Sequence, residues 1–204
     1  MSEKLVITIG RQYGSGGREV GHKLAELLGC KCYDQDLIVM AAKRSGISEE
    51  ALALADEQAS SSLLYTLAMG ASMIYTSTTP MAVPINDALF IAQSEIIREL
   101  SETETCVIVG RCADYILEER DDCLHVFIHA DKEIRAKRIV EKYGETPDVP
   151  EKRLNDKDKK RRNNYKYYTD REWGMSQNYD ISLDSGALGL EKCADIIVDL
   201  AKNL

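Results

Sequence analysis

Five short, mainly apolar runs recur along the chain, and each predicts a strand. The runs occupy 4–9, 32–34, 106–109, 124–128 and 179–183. Stretches with helical spacing of apolar residues lie between them, so that strands alternate with helices. This alternation predicts an α/β fold, a three-layer α/β/α sandwich in which helices cover both faces of a five-stranded parallel sheet.

The clearest helical stretch follows the first strand, where Val20, Leu24 and Leu28 recur on one helical face. No strand signal of comparable strength falls in 47–102, which we interpret as a helical insert or a long helical connection. The chain, 1–204, is expected to form a single domain around it. Further helices are predicted over 36–45, 85–100, 132–143, 152–168 and 190–204.

Charge is distributed unevenly along the chain. The formal net charge is −8, yet residues 132–171 hold 14 Lys and Arg against 8 Asp and Glu. The overall negative charge disfavours binding of nucleic acid through its phosphate backbone, including an RNA-binding role for the basic helix at 152–166. A basic segment within an acidic protein instead favours a site for a small polyanion.

The spacing of the cysteines and the length of the apolar runs indicate in which cell compartment the protein is expected. None of the six cysteines belongs to a C-x-x-C pair, which is typical of reduced thiols in a cytosolic protein. The apolar stretch at 5–9 is too short for a signal peptide, and no run approaches the ~20 apolar residues of a membrane span. We therefore expect a cytoplasmic protein with no membrane partner.

The most informative segment joins the first strand to the first helix and contains four glycines between residues 10 and 17. Glycines allow backbone N–H groups to converge on a phosphate without obstruction by side chains. The helix that follows directs its positive end at the same point. The alternative is a turn that only joins strand to helix. The predicted phosphate and ATP site consists of Gly14, Ser15, Gly16, Gly17 and Arg18.

This loop departs from the P-loop rule G-x-x-x-x-G-K-[ST], in which the lysine contacts the β- and γ-phosphates and the hydroxyl contacts magnesium. Gly17 or Arg18 stands in the lysine's place, depending on the alignment. Arg18 can supply the positive charge, with a geometry different from that of an ammonium. Alternatively it points outward and pairs with an acid such as Glu19 or Glu26. Ser15 is the nearest hydroxyl and the candidate for a contact to Mg²⁺; no side chain is expected to be a direct metal ligand beyond it.

Several motifs together resemble those of the cytidylate-kinase-like family, a branch of the P-loop nucleoside-monophosphate kinases. The matching stretches are IGRQYGSGGR at 9–18, YDQDL at 33–37, QSEIIR at 93–98, VIVGRCA at 107–113 and WGMSQNYD at 173–180. The resemblance implies a P-loop NTPase fold, with 47–102 as the acceptor-binding insert and 131–172 as the lid and basic helix. Because 47–102 lacks the β-rich insert of bacterial cytidylate kinases, cytosine recognition is not carried over.

The resemblance also implies an acceptor site. Arg111 matches a Gly-Arg pair that contacts the acceptor nucleotide, and an arginine at the carboxyl end of a strand faces the ligand crevice. Asp158 and Arg161 match an aspartate-plus-arginine helix near the acceptor. Asp34 and Asp36 are candidates for substrate or magnesium contact. The alternatives are a structural ion pair for Arg111, a solvated helix face for Asp158 and Arg161, and a helix N-cap for either aspartate.

Arg135 and Arg138 resemble lid arginines that neutralise the transferring phosphates, although both could be ordinary residues of a charged helix surface. With Arg18, they are the candidate catalytic residues. The favoured function is ATP-dependent phosphoryl transfer, with Mg²⁺, to a nucleoside monophosphate (cytidylate-like) or another small acceptor. The alternative is a non-catalytic nucleotide-binding sensor or interaction protein with a degenerate P-loop. Expected partners are ATP and the acceptor; a homodimer is left open.

Overall fold

A computed structural model of the protein describes residues 4–45 and 85–202. Residues 46–84, which make up most of the predicted insert, lie outside the described part. The chain divides into two compact units, one formed by Met1–Asp34 with Leu100–Leu204 and the other by Gln35–Glu99. Among the described residues, no helix combines the length and the apolar character needed to cross a membrane.

The first unit contains a sheet of five strands. They are β1 (Val6–Arg11), β2 (Lys31–Tyr33), β3 (Cys106–Val109), β4 (Cys123–His129) and β5 (Ile181–Asp184). Their order is β2-β3-β1-β4-β5, and every neighbouring pair is parallel. The predicted five-stranded parallel sheet and its α/β class are therefore confirmed.

Helices follow the strands, as the sequence pattern predicts. In chain order the described helices are α1 (Gly17–Leu28), α2 (Asp36–Ser45), α3 (Ile85–Thr103), α4 (Ala113–Ile116), α5 (Lys132–Glu141), α6 (Pro150–Thr169), α7 (Ser185–Leu188) and α8 (Leu190–Ala201). All of α2 and most of α3 belong to the second unit. There, Arg44 of α2 pairs with Glu99 of α3 at 2.9 Å, an exposed contact that contributes at most about 1 kcal/mol.

The core of the first unit lies between the sheet and the pair of helices α1 and α8. Buried side chains alternate along the strands, as Ile7 and Ile9 do on β1, because successive side chains of a strand point to opposite faces. They meet Val20 and Leu24 of α1 and Ile197 of α8. Each of these five side chains is fully buried, which stabilises the fold by roughly 1.5–3 kcal/mol per side chain. This layer fixes the positions of the strand ends.

β1 continues two residues beyond the predicted apolar run. Gly10 and Arg11 pair with Phe127 and Ile128 of β4. Glycine is required at position 10, because an added Cβ would lie 2.9 Å from the Phe127 ring and 3.0 Å from that of Tyr179. Arg11 is therefore the last residue of the strand, at the carboxyl edge of the sheet.

A buried hydrogen bond joins α4 to α6. The Tyr165 hydroxyl donates to Asp114 Oδ2 at 2.6 Å, and both residues are buried. Desolvation by burial is the largest effect and raises the pKa of Asp114 from 3.8 to about 6, against the opposing effect of the Tyr165 bond. The folded protein therefore keeps a proton on Asp114 at pH values at which the unfolded chain has lost it.

We predict that this proton makes stability depend on pH. Since the folded-state pKa is raised, the contribution is complete below about pH 4 and is lost as the pH rises through about 6. Asp114→Asn keeps an acceptor for Tyr165 but cannot ionise. The free energy of unfolding of the wild-type protein should fall relative to this variant by about 2–3 kcal/mol between about pH 4 and pH 7, measured by urea denaturation. Asp156→Asn, at an exposed position of α6, is the control; parallel pH profiles for all three proteins would contradict the prediction.

Candidate functional site

The glycine-rich loop between β1 and α1 ends at the N-terminus of a helix. Gly14 and Gly16 have φ angles of 76° and 78°, a left-handed conformation that glycine adopts readily. Gly16 is the N-cap of α1, and no side chain accepts a hydrogen bond at that cap. The first N–H groups of an α-helix have no intrahelical partners and carry partial positive charge. The loop thus leads into a helix end of the kind that favours anions, and phosphate binding there stays a prediction.

Other elements of the first unit lie directly over this loop. A Cβ at Gly14 would lie 2.9 Å from the Arg135 carbonyl oxygen of α5, and one at Gly16 would overlap the Leu190 side chain of α8. The Ser185 hydroxyl donates to the Ser15 carbonyl oxygen. The glycines therefore also serve a structural purpose, since they allow the protein's own helices to approach the loop closely.

Two arginines of α5 hold the loop through its backbone. Arg138 Nη1 donates to the Gly14 carbonyl oxygen at 2.8 Å, and Arg135 Nη1 donates to that of Tyr13 at 3.2 Å. These are the residues for which the sequence predicts a role at the transferring phosphate. In this structure both guanidinium groups contact the loop itself.

Asp158 of α6 lies at the centre of the same network. Its Oδ2 accepts from Arg135 Nη1 at 2.6 Å, and its Oδ1 accepts from the Tyr13 backbone N–H at 2.7 Å. Arg135 is 5% exposed and Asp158 is 7% exposed. The predicted acceptor aspartate and the predicted lid arginine therefore form one buried ion pair that joins α5, α6 and the loop.

A second group of charged residues gathers around Asp34, directly after β2. Arg18 Nε lies 2.8 Å from Asp34 Oδ2, and Arg11 Nη2 lies 3.5 Å from Asp34 Oδ1. Arg18 thus has an acidic partner, although neither Glu19 nor Glu26 is that partner. The Arg11 side chain is 18% exposed and that of Asp34 is 8% exposed.

Arg161 of α6 joins this group, donating from Nη1 to the Arg11 carbonyl oxygen at 2.9 Å. Arg111 also lies near Arg11. It follows β3 directly after Gly110, where the backbone has an unusual conformation. Gly110, Arg111 and Cys112 have φ angles of 77°, 59° and 54°, and left-handed conformations of non-glycine residues cost of order 1 kcal/mol or more each. At position 110 a Cβ would overlap the Arg11 guanidinium, so glycine is required for Arg11 to lie there.

We call this group the arginine cluster: Arg11, Arg18, Arg111 and Arg161, with Asp34 in contact with Arg11 and Arg18 and Asp158 acting on Arg161. The pKa of Arg11 is lowered by burial and by the neighbouring positive charges. Burial lowers it most, and the neighbouring arginines Arg161, Arg111 and Arg18 lower it further, so that despite the opposing effect of Asp34 it falls to about 9. A bound anion would relieve this repulsion, because it would bring negative charge.

Sequence reasoning did not select Arg11. The rule that selects Arg111, an arginine at the carboxyl end of a parallel strand, applies to Arg11 once β1 is seen to continue through residue 11. Asp36, the other predicted aspartate, is the first residue of α2 and belongs to the second unit.

The magnesium prediction rests on Ser15, whose side chain is fully buried and donates to the Gln12 carbonyl oxygen at 2.9 Å. No group of three or more His, Cys, Asp or Glu side chains within 4–45 and 85–202 is placed to hold a metal ion.

The sequence profile described as the cytidylate kinase-like family matches residues 6–187. The chain belongs to the cytidylate kinase-like family. No curated protein matches it. Membership agrees with the resemblance carried by the loop and by the Gly110-Arg111 pair.

Solved structures with this fold include an uncharacterized protein and two kinases. An uncharacterized protein from Eubacterium ventriosum is 27% identical, with a TM-score of 0.70 over 98% of this chain and 100% of that one. A shikimate kinase from Bacteroides thetaiotaomicron is 12% identical, with a TM-score of 0.56 over 97% and 98%. A gluconokinase from Sinorhizobium meliloti is 16% identical, with a TM-score of 0.55 over 100% and 97%. At such low identity the two kinases show the fold alone.

We predict that breaking the buried Arg135–Asp158 pair destabilises the protein. Arg135→Met leaves a buried carboxylate with one partner fewer, and the free energy of unfolding should fall by about 3–5 kcal/mol. Thermal and urea denaturation measure this effect. Asp158→Asn retains an acceptor for the Tyr13 N–H, and combining it with Arg135→Met should cost less than the sum of the two single changes. If neither single variant is destabilised, the two residues do not hold the loop, and a role confined to the ligand becomes the better interpretation.

A second prediction concerns Arg11. Arg11→Met removes a half-buried charge that the neighbouring arginines repel, so the variant without ligand should be as stable as the wild-type protein or more stable, while it binds phosphate less well. Inorganic phosphate should raise the melting temperature of the wild-type protein and raise that of the variant much less. Arg120→Met is the control, because Arg120 precedes β4 and pairs with Asp122 at the amino edge of the sheet. Equal stabilisation of Arg11→Met and wild type by phosphate would contradict an anion site at the arginine cluster.

Proposed function

We propose that this protein transfers a phosphoryl group from ATP to a small acceptor that itself carries phosphate, of which a nucleoside monophosphate is the simplest example. The observation that carries the proposal is the arginine cluster. The guanidinium groups of Arg18, Arg111 and Arg161 act on that of Arg11, with Asp34 beside Arg11 and Arg18, at the carboxyl edge of β1 and β3, where open parallel sheets bind their ligands. Shikimate and gluconate kinases share the fold, and this excess of arginine favours a more highly charged acceptor.

In this proposal the acceptor phosphate replaces part of the interaction that Asp34 makes in the ligand-free protein. Arg11, Arg111 and Arg161 bind that phosphate, and their planar guanidinium groups donate pairs of hydrogen bonds to its oxygens. Arg18, half-exposed in the first turn of α1, extends towards the donor. Phosphoryl transfer requires positioning and charge neutralisation more than a covalent protein group, and a cluster of this kind supplies both.

ATP brings the remaining components. Its phosphates approach the N-terminus of α1, where the helix dipole favours anions. Mg²⁺ arrives bound to the phosphates of ATP and supplies charge neutralisation there. We place the reaction in the cytoplasm, where the six cysteines, all free, remain reduced.

One observation favours a second function, nucleotide binding without catalysis. The loop has no P-loop lysine, and α5 and Leu190 lie directly on Gly14 and Gly16, where a kinase would need room for the donor phosphates. A sensor or interaction protein would bind nucleotide at the arginine cluster and produce no ADP.

Turnover separates the two functions. Purified protein is supplied with ATP, Mg²⁺ and one acceptor at a time: CMP, UMP, AMP, GMP, shikimate or gluconate. ADP formation is then followed by chromatography. A kinase of the proposed class forms ADP with at least one nucleoside monophosphate and not with the unphosphorylated acids. ATP or nucleotide binding by calorimetry, without ADP formation for any acceptor, would instead establish the non-catalytic function.

For the productive acceptor, Arg111→Ala should raise KM and lower kcat/KM by about ten- to a hundredfold, because a charge-assisted contact is worth about 1.5–3 kcal/mol. Arg120→Ala removes the same side chain at the opposite edge of the sheet and should leave both constants nearly unchanged. Unchanged kcat/KM in Arg111→Ala, with an intact fold by circular dichroism, would assign Arg111 to the structure and not to the acceptor.

A further inference from the structure

Tyr13 lies in the glycine-rich loop, and contacts with α5, α6 and the link between them fix its position. Its backbone N–H donates to Asp158 of α6 at 2.7 Å, and its backbone carbonyl oxygen accepts from Arg135 of α5 at 3.2 Å. The hydroxyl donates to Glu145 of the link at 2.9 Å, and the ring centroid lies 6.0 Å from that of Tyr143. Because the backbone and the end of the side chain are both held, the ring has a fixed direction.

The ring of Tyr13 lies beside a guanidinium group of the arginine cluster. Arg161 Cζ is 5.6 Å from the ring centroid, which is within the range of a cation–π interaction. Arg161 is half-buried, and its Nη1 donates to the Arg11 carbonyl oxygen at 2.9 Å. Lys157 Nζ lies 5.8 Å from the same centroid, but Lys157 is exposed. The ring and the end of β1 therefore restrict the rotation of Arg161, a side chain that samples many rotamers when it is unconstrained.

The guanidinium group of Arg161 is held in this way without a carboxylate against it. No Asp or Glu side chain within 4–45 and 85–202 lies at ion-pair distance from Arg161, although the charges of Asp158 and Asp34 act on it from farther away. A carboxylate would accept the paired N–H groups with which an arginine binds phosphate. An aromatic ring attracts the positive charge without accepting those hydrogen bonds in the same way. Tyr13 thus orients the arginine and leaves donors for a ligand.

We propose that Tyr13 is a positioning residue, whose ring holds Arg161 in the direction in which it binds the acceptor phosphate. The inference rests on the phosphate site of the proposed function. A long side chain that is already ordered loses less conformational freedom when the ligand binds, and affinity is higher for that reason. Removal of the ring should therefore weaken phosphate binding, although every group that contacts the phosphate is still present. Through this contact one side chain joins the glycine-rich loop to an arginine of the acceptor site.

The first measurement needs no ligand and follows the Arg161 side chain by NMR in the whole protein. Protons near the face of an aromatic ring resonate at higher field, so the Arg161 side-chain resonances should be shifted upfield. Arg161→Met assigns them, because they are absent from its spectrum. The shift should persist in Tyr13→Phe and disappear in Tyr13→Leu. Unshifted resonances in the wild-type protein would overturn the proposal, even if Tyr13→Leu does not fold, and so would an unchanged shift in a folded Tyr13→Leu.

The second measurement is calorimetry with inorganic phosphate. Tyr13→Leu should weaken phosphate binding by about three- to thirtyfold, and Tyr13→Phe, which keeps the ring, should recover most of the affinity. The matched control is Tyr115→Leu, which removes a contact of the same kind outside the cluster, since Arg171 Cζ lies 5.1 Å from the centroid of the Tyr115 ring. This control should bind phosphate as the wild-type protein does. Equal weakening in the control, or no recovery in Tyr13→Phe, would mean a general effect of packing and would overturn the proposal.

Arg161→Met separates an effect through Arg161 from an effect on the loop alone. In this background Tyr13→Leu should weaken phosphate binding no further, because the ring has no guanidinium group left to position. A further loss as large as that in the wild-type background would overturn the proposal. If the wild-type protein binds no phosphate, the phosphate site of the proposed function is wrong and the positioning role is overturned with it. If the protein binds phosphate and a folded Tyr13→Leu binds it equally well, only the positioning role is overturned.

Discussion

The buried carboxylate of Asp158 is the group on which the arrangement of loop and helices depends. Asp158 belongs to α6, and it accepts hydrogen bonds from the Tyr13 backbone N–H in the loop and from Arg135 of α5. A carboxylate at 7% exposure pays a desolvation cost of several kcal/mol, which is recovered only when strong donors of good geometry surround it. Three segments distant in the sequence are thereby fixed to one another. Arg161, one turn further along α6, is then held against Arg11.

The arginine cluster has the opposite electrostatic character. Within the Arg135–Asp158 pair one positive charge faces one negative charge, whereas Arg11 lies among other arginines, which lower its pKa beyond the effect of burial. Excess like charge destabilises a ligand-free protein, and such destabilisation concentrates at binding sites, where the ligand removes it. The strained backbone of Arg111 and Cys112 belongs to the same place. Because the charges of the Arg135–Asp158 pair balance each other while the arginines of the cluster repel one another, we propose that the ligand binds at the cluster.

The fold could be predicted from the sequence because it is encoded locally. Apolar runs such as 106–109 coincide with β3 residue for residue, since strand formation there follows from the side chains within the run. The end of β1 could not be predicted from the side chains of its own residues. Gly10 and Arg11 are strand residues only because β4 lies beside them and because Phe127 and Tyr179 leave no space for a Cβ, and neither condition is visible in the residues 10 and 11 themselves. Because the predicted strand ends two residues before β1 does, Arg11 was not selected as a site residue.

The same distinction between local and distant information explains the predicted site residues. The resemblance assigned Asp158 to the acceptor and Arg135 to the lid, because each matches its own motif. Their contact joins residues on different helices and depends on the packing of α5 against α6, which no motif records. The altered loop is consistent with that packing. A lysine at the first turn of α1 would bring a further long cationic side chain to a loop that already has Arg135, Arg138 and Leu190 against it. In the function that we propose, the arginines of strand ends and helices carry the positive charge that a P-loop lysine would otherwise supply. The glycines of the loop accommodate the helices that lie against it.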